Sequence, residues 1–169
     1  YNTAMTAPLI AEKDCRRIVI LGGGDGGVLN ELFRAANARG LALERVTLID
    51  IDPDVVRLAR RYLGAISGNA FDHPKAEVIS GDAFAYIRRA RALDAIVYDL
   101  TMDPVREDQS RDAFIAEVIA QMAEALRPGG VLSMQAGGIY DGELIARIRD
   151  VVERSFIDVI EQKVLVPSY

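Results

Sequence analysis

The chain has 169 residues, of which 50% are hydrophobic, 27% charged and 7% aromatic. This is the composition of one folded globular domain, and it excludes a disordered or fibrous chain. A single cysteine, Cys15, and a single histidine, His73, exclude a disulfide scaffold and a Cys/His metal centre. Twenty-five acidic residues against twenty basic ones give a net charge of −5, which argues against a nucleic-acid partner and permits a cationic ligand.

The longest apolar runs of the chain are too short to span a membrane. No stretch approaches the roughly 18 consecutive apolar residues that a bilayer span requires. The chain begins at Tyr1 without an initiator Met or a signal peptide, so we interpret it as an excerpt of a longer protein. Residues 1–169 are expected to form one domain, with 1–15 as a lead-in segment.

Short β-branched runs alternate with amphipathic stretches along the whole chain. Strands are predicted at 16–21, 46–49, 77–79, 95–98, 131–134 and 159–166. Helices are predicted around 29–36, 53–62, 83–91, 115–126 and 144–152. The run Arg127-Pro128-Gly129-Gly130 is expected to stop the fourth of these helices. The alternation predicts an α/β fold, a doubly wound and mostly parallel sheet with helices on both faces.

Acidic residues follow each of the first four predicted strands. They are Asp25, Asp50, Asp52, Asp82, Asp99 and Asp103, and Gln135 follows the fifth strand. A single aspartate at such a position is common, because aspartate caps helices and turns. Ligands of open α/β sheets bind beyond the carboxyl ends of the strands. Four acidic strand ends in succession therefore predict an acidic binding edge.

The first strand leads into a loop with the Gly-x-Gly-x-x-Gly spacing, formed by Gly22, Gly24 and Gly27. This spacing alone does not separate a dinucleotide site from an S-adenosyl site, or from a glycine turn without a ligand. Asp25 would repel a pyrophosphate and favours a cationic ligand, such as one with a sulfonium and an amine. Asp50 could then bind the ribose diol, and Asp82 could accept a hydrogen bond from the adenine amino group.

Six segments together carry a resemblance to a known family. They are residues 21–28, 47–52, 71–74, 81–84, 98–104 and 166–169. In these segments the chain resembles the polyamine aminopropyltransferases, that is, the spermidine and spermine synthases. The Gly-Gly-Gly-Asp-Gly-Gly loop is far more specific than the bare glycine spacing. The run Asp-Leu-Thr-x-x-Pro at 99–104 is more similar to the spermine synthase version.

The resemblance implies a reaction and a role for each site residue. An aminopropyl group would pass from decarboxylated S-adenosylmethionine to putrescine or spermidine, leaving methylthioadenosine. The implied donor-binding residues are Gly22, Gly24, Asp25, Gly26, Asp50 and Asp82. Asp99 would be the catalytic residue that handles the nucleophilic amine. The implied polyamine-binding residues are Tyr1, Asp25, Asp103, Gln135 and Tyr169.

The identity of the acceptor amine stays open at this point. The spermidine synthases that the chain resembles have the pattern Asp-x-x-Asp-Pro, and Asp103 falls one residue later than the second aspartate of that pattern. His73 is a competing base, and we interpret it as a solvated loop histidine. The run 105–111 is either a polar loop or a lid over the acidic edge. Two further functions stay open, an S-adenosylmethionine-dependent methyltransferase and a non-catalytic module that binds a polyamine or a nucleoside.

The resemblance also implies properties of the complete protein. The core would be Rossmann-like, of the type found in S-adenosylmethionine-dependent methyltransferases, with no metal and no bound prosthetic group. The protein would be a cytoplasmic homodimer that takes a small cationic polyamine as substrate and has no nucleic-acid partner, and no membrane contact is evident in this chain. The family's N-terminal β-hairpin domain, its final strand and its tail are expected to lie outside residues 1–169.

Overall fold

Helices and strands alternate through a computed structural model that describes residues 1–12, 14–104, 106–138 and 140–165. The strands are β1 (Arg17–Gly22), β2 (Arg45–Asp50), β3 (Ala76–Ser80), β4 (Leu93–Asp99) and β5 (Leu126–Met134). The helices are α1 (Asn2–Ala11), α2 (Gly27–Arg39), α3 (Pro53–Tyr62), α4 (Gly64–Ser67), α5 (Ala83–Ile87), α6 (Arg111–Ala125) and α7 (Gly142–Ser155). A short 3₁₀ helix spans Ala70–Asp72.

All five strands run parallel, in the order β3-β2-β1-β4-β5. The order reverses direction between β1 and β4, which is the point where open α/β sheets bind ligands. Alternate residues of β1 enter different cores, since Ile18 and Ile20 pack towards α1 and α2 while Val19 and Leu21 pack towards α6. The predicted α/β class, with helices on both faces of a parallel sheet, is confirmed.

The lead-in segment contains a helix that the sequence reasoning did not predict. Helix α1 includes Pro8, a residue that normally argues against a helix interior because it lacks an N–H. Met5 and Leu9 are nevertheless buried against α2, at the spacing of one helix face. Tertiary packing therefore outweighs the local cost of Pro8, and α1 brings Tyr1 to the sheet.

The predicted last strand at 159–166 is wrong over the residues that the structure describes. Residues 159–165 pair with no strand, and Ile160 and Leu165 are 80% and 90% exposed. An apolar extended run becomes a strand only where a neighbouring strand supplies its hydrogen bonds. Val166 lies outside the described residues.

Two predicted boundaries of secondary structure elements also differ from those in the structure. Helix α5 ends at Ile87 instead of continuing to residue 91, and Ala92 has a positive φ of 56° that turns the chain into β4. The run 127–130 follows the end of α6, but it lies within β5, where a register shift between Leu93 and Ala95 accommodates it. Pro128 is tolerated there because β5 is an edge strand.

Two features are missing from the described part of the chain. None of its helices is both long and apolar enough to cross a membrane. Its His, Cys, Asp and Glu side chains form no group of three or more in an arrangement that could hold a metal ion.

Asp94 joins three strands at the end of the sheet that lies away from the acidic residues. Its Oδ2 accepts hydrogen bonds from the backbone N–H groups of Arg16 (2.9 Å) and Arg17 (2.7 Å). Its Oδ1 accepts from Arg127 Nε at 2.5 Å. Burial by itself raises the pKa of Asp94, but the bonds from Arg127 and the two backbone groups outweigh it, and the net pKa is lowered.

The variant Asp94→Asn should lower the free energy of unfolding by about 2–4 kcal/mol at pH 7, because it leaves Arg127 without its carboxylate partner. The lowered pKa means that this stabilisation is complete above about pH 4 and is lost as the pH falls through the folded-state pKa. Denaturant unfolding at pH 7 and at lower pH measures both effects.

Glu124→Gln is the matched control, because Glu124 forms an exposed ion pair with Arg91. It should cost about 0.5 kcal/mol or less. Equal losses in the two variants would show that Asp94 is not a structural anchor.

Candidate active site

The parallel register brings the acidic strand ends to one edge of the sheet. Gly22 of β1 lies opposite Asp99 of β4, and Asp50 of β2 lies opposite Ser80 of β3. On the far side of β4, the backbone N–H of Gln135 donates to the carbonyl of Tyr98 at 3.2 Å. The glycine loop after β1 therefore has Asp50 on one side and Asp99 on the other.

Asp50 is bound to the glycine loop through its carboxylate. Its Oδ2 accepts from the N–H of Gly24 at 2.9 Å, and its Oδ1 accepts from the N–H of Asp52 at 3.0 Å. A Cβ at position 24 would lie 2.5 Å from Asp50 Oδ2, so this close approach requires glycine. The contact sets the distance between the loop and the end of β2.

Asp25 is exposed and lies at the start of α2. Its Oδ1 accepts from the N–H of Gly27 at 2.8 Å. Gly26 is the N-cap of α2, and its φ of 77° is a conformation that favours glycine. The N-terminus of a helix ordinarily attracts anions. Here a carboxylate of the chain already occupies that position, which agrees with the prediction of a cationic ligand.

Asp99 is a partly buried carboxylate of the edge, as Asp50 is. Its Oδ1 accepts a hydrogen bond from the hydroxyl of Tyr1, at the start of α1. Burial raises the pKa of Asp99, the bond from Tyr1 lowers it, and the negative charges of Asp25 and Asp50 raise it further. The net pKa is raised, because burial and the charges of Asp25 and Asp50 together outweigh the bond from Tyr1.

Asp82 and Asp52 cap the helices that follow their strands. Asp82 Oδ1 accepts from the N–H of Phe84 at 2.8 Å, and Asp52 Oδ1 accepts from the N–H of Asp54 at 2.9 Å. Asp82 also follows Gly81, whose N–H donates to the backbone carbonyl of Asp50 at 2.9 Å. Both aspartates thus have a structural role at the same edge as Asp50.

The remaining predicted polyamine residues have varied surroundings. Asp103 is exposed and forms an ion pair with Arg111, the first residue of α6. Gln135 donates from Nε2 to the carbonyl of Leu100 at 2.8 Å. Tyr169 lies outside the described residues. The segment 106–110 is a polar turn in which Arg106 donates twice to Asp108, each time at 3.0 Å; Val105 is also outside the described residues.

His73 lies at the opposite end of β3 from the acidic edge. Its ring stacks on Phe33 with 3.8 Å between ring centroids, and its Nδ1 accepts from the N–H of Lys75 at 3.2 Å. The sequence interpretation of a solvated loop histidine is therefore incomplete, because the ring is packed. Its position makes it unsuitable as a base at the acidic edge.

Sequence reasoning missed the apolar part of the site. Ile51 is 76% exposed between Asp50 and Asp52, and Val55 Cγ1 lies 2.9 Å from where a Cβ on Gly24 would be. Both supply apolar surface beside the carboxylates. The signal was available for Ile51, because an isoleucine between two aspartates just after a strand cannot be in the sheet core.

A basic groove of about 500 Å³ lies beside the acidic edge, between α3 and the end of β3. Its lining residues are Pro53, Val56, Arg57, Arg60, Arg61 and Ser80. Three arginines make this groove unfavourable for a cation. Two of the three arginines are already paired with carboxylates, Arg57 with Asp54 and Arg60 with Asp72, so the positive charge of the groove is partly neutralised.

Comparison with known proteins identifies the family of this chain. The family model described as "Spermine/spermidine synthase domain" matches residues 2–169. The chain is 36% identical over 159 residues to the polyamine aminopropyltransferase of Pyrobaculum arsenaticum, covering 91% of this chain and 53% of that protein. It is 33% identical over 175 residues to the enzyme of the same name from Pyrobaculum calidifontis, covering 100% and 58%. The chain spans about half the length of the curated relatives it matches.

Solved structures share the fold. The crystal structure of spermidine synthase from Thermotoga maritima superposes with a TM-score of 0.73 at 24% identity, covering 92% of this chain and 50% of that one. A spermidine synthase in complex with the transition state analogue AdoDATO gives the same values. The match of the family model over residues 2–169 shows that this chain belongs to the spermine/spermidine synthase family.

Proposed function

We propose that the chain is the catalytic core of a polyamine aminopropyltransferase. The observation that supports this most directly is the grouping of Asp25, Asp50 and Asp99 around one glycine loop, with Asp99 partly buried and its pKa raised by burial and by the other two charges. Such an edge favours a ligand with positive charge. Family membership favours a polycation as substrate over other cations.

Decarboxylated S-adenosylmethionine is the proposed donor. Asp50 would accept hydrogen bonds from the ribose diol, and Asp82 would accept one from the adenine amino group. Gly22, Gly24 and Gly26 would contribute through the shape of the loop, since the missing Cβ atoms let it pack closely against Asp99, Asp50 and Phe71. Ile51 offers an exposed apolar surface to the base. Asp25 would face the positively charged aminopropyl end.

The proposed reaction is a direct transfer. The nitrogen of the acceptor amine attacks the methylene carbon beside the sulfonium, so that a C–N bond forms as the C–S bond breaks. The C–S electron pair goes to sulfur, which leaves as the neutral thioether of methylthioadenosine. The amine proton passes to Asp99, directly or through water.

The cost of freeing the amine explains why a base is needed. An amine with a pKa of about 10.4 is protonated at pH 7, and removing its proton costs roughly 4.6 kcal/mol. Burial raises the pKa of Asp99, followed by the charges of Asp25 and Asp50, which makes Asp99 a better proton acceptor than an exposed aspartate. Tyr1, Asp103, Gln135 and Tyr169 are proposed to line the acceptor channel.

Three finer features belong to this proposal. The acceptor is putrescine or spermidine, and the product is spermidine or spermine. The complete protein is proposed to be a cytoplasmic homodimer. No metal and no bound prosthetic group is needed by the transfer as written, because the sulfonium is itself the activated leaving group.

The proposed function predicts that the complete protein converts decarboxylated S-adenosylmethionine and an amine into methylthioadenosine and an elongated amine, which mass spectrometry detects. Asp99→Asn should lower turnover about 10²–10⁴-fold, because the amide cannot accept the proton, while methylthioadenosine affinity changes less than about twofold. Higher pH should restore part of the rate, since more of the amine is then unprotonated.

Asp108→Asn is the matched control for this experiment. Asp108 is an exposed acid on the same connection between β4 and α6, and its partner is Arg106. Its loss should change turnover less than about twofold. An Asp99→Asn enzyme with more than about a third of normal turnover would exclude Asp99 as the base, and transfer of a methyl group instead would identify a methyltransferase.

The proposed position of Asp25 beside the aminopropyl end of the donor gives a second prediction. The decarboxylated donor should bind about tenfold more tightly than S-adenosylmethionine, whose extra carboxylate would approach Asp25. In Asp25→Asn this preference should largely disappear, whereas Asp52→Asn, at the same edge but at the N-cap of α3, should keep it. Calorimetry with both ligands measures the ratio, and tighter binding of S-adenosylmethionine to the unmodified protein would contradict the proposal.

Asp99→Asn should also make the protein more stable at neutral pH. Burial raises the pKa of Asp99, and so do the charges of Asp25 and Asp50, so the ionised carboxylate destabilises the fold as the pH rises through that raised value. The variant removes this penalty, and each kcal/mol of relief should raise Tm by about 2–4 °C. Below about pH 4 the gain should vanish, because Asp99 is then neutral in both states. Thermal unfolding at both pH values tests this, and a lower Tm for the variant at pH 7 would contradict it.

A further inference from the structure

The segment directly after Asp99 is held by two side-chain hydrogen bonds and one buried side chain. The hydroxyl of Tyr98 donates to the carbonyl of Thr101 at 2.7 Å. The Nε2 of Gln135 donates to the carbonyl of Leu100 at 2.8 Å. Met102 is 5% exposed and packs in the core. The chain therefore turns sharply back over the end of β4 instead of continuing outwards.

Tyr98 and Asp99 lie on opposite faces of the sheet end. The ring of Tyr98 is fully buried among the residues that pack against α6. The carboxylate of Asp99 is on the side of Tyr1, and its Oδ2 lies 3.0 Å from where a Cβ on Gly23 would be. A contact made by Tyr98 thus acts on Asp99 through the backbone, without touching the acidic edge.

The hydroxyl of Tyr98 is not explained by packing. A phenylalanine would fill the same apolar space, and a buried hydroxyl costs free energy unless it is hydrogen-bonded. Burial raises the pKa of Tyr98, and the charge of Asp103 raises it further, so the hydroxyl stays protonated and remains a donor over the whole working pH range. Its defined contact is the carbonyl of Thr101.

We propose that Tyr98 is a positioning residue, whose hydroxyl holds the 100–102 turn and thereby keeps the Asp99 carboxylate aimed at the acceptor amine. Gln135, the residue after β5, holds the same turn, so its amide nitrogen supports the turn in addition to its proposed place in the acceptor channel. The kinetic part of this proposal rests on the proposed function. Pairing of Gly22 with Asp99 fixes the backbone on one side, and the turn fixes it on the other.

The test is Tyr98→Phe in the complete protein, which removes one hydroxyl and keeps the ring. The kcat of aminopropyl transfer should fall about tenfold, while the KM of the acceptor and the affinity for methylthioadenosine change less than twofold. Thr47→Val is the matched control, because it removes another buried hydroxyl of the sheet, one that donates to Glu77 at 3.2 Å. It should lower Tm comparably and leave kcat within twofold.

A second measurement does not depend on activity. Carboxyl ¹³C NMR, with the Asp99 signal assigned through Asp99→Asn, follows the titration of Asp99 beside Tyr1, Asp25 and Asp50. In Tyr98→Phe its pKa should fall towards the ordinary aspartate value, because the released turn lets the carboxylate reach solvent. In Thr47→Val it should stay raised.

The outcomes separate the two proposals. An unmodified protein that transfers no aminopropyl group overturns the proposed function, and the NMR titration then decides the positioning of Asp99 by itself. A Tyr98→Phe protein with normal kcat and an unchanged Asp99 titration overturns the positioning role and shows that the pairing with β1 is sufficient. An equal loss of kcat in Thr47→Val overturns it as well, because the effect would then be one of general stability.

Discussion

The candidate site depends on holding the negative charges of Asp25, Asp50 and Asp99 close together at one edge of the sheet. Asp50 and Asp99 end strands on either side of β1, and Asp25 lies in the loop between them. Their mutual repulsion is visible in the raised pKa of Asp99, which burial raises first and the charges of Asp25 and Asp50 raise further. Backbone N–H groups and the Tyr1 hydroxyl offset part of the repulsion. A bound cation would offset the rest, which is the physical basis for proposing a cationic ligand at this edge.

The carboxylates of this edge are held in place by the sheet behind them. The sheet core behind them is fully buried at Leu21, Ile49 and Tyr98, the residues that immediately precede the glycine loop and the two aspartates. Asp94 closes the opposite end by joining β1, β4 and β5. The charged edge thus lies on a part of the fold whose stability comes from apolar burial and from a distant ion pair. Its unfavourable electrostatics can therefore be tolerated.

The alternation of strands and helices was readable from the sequence because buried parallel strands are continuous β-branched runs. The strand predicted at 46–49 differs from the observed Arg45–Asp50 by one residue at each end. The prediction of secondary structure failed where contacts with residues distant in the sequence decide whether a helix or strand forms. Helix α1 forms in spite of Pro8 because Met5 and Leu9 find a partner in α2, and residues 159–165 form no strand despite their apolar character because no strand pairs with them. Propensity is local, whereas both results depend on distant residues.

By itself, the sequence determined the fold class, the glycine loop and the acidic strand ends, because these are properties of residue type and spacing, and its resemblance to known proteins indicated the family. The tertiary structure alone decided what each carboxylate contacts. Asp50 binds the loop at Gly24, Asp103 pairs with Arg111, and the hydroxyl of Tyr98 reaches Thr101. The spacing of residues in the sequence does not predict these contacts, since they depend on strand register and on the path of a turn. The physical reason is that a charge or hydroxyl acts over a few ångströms, and only folding sets those distances.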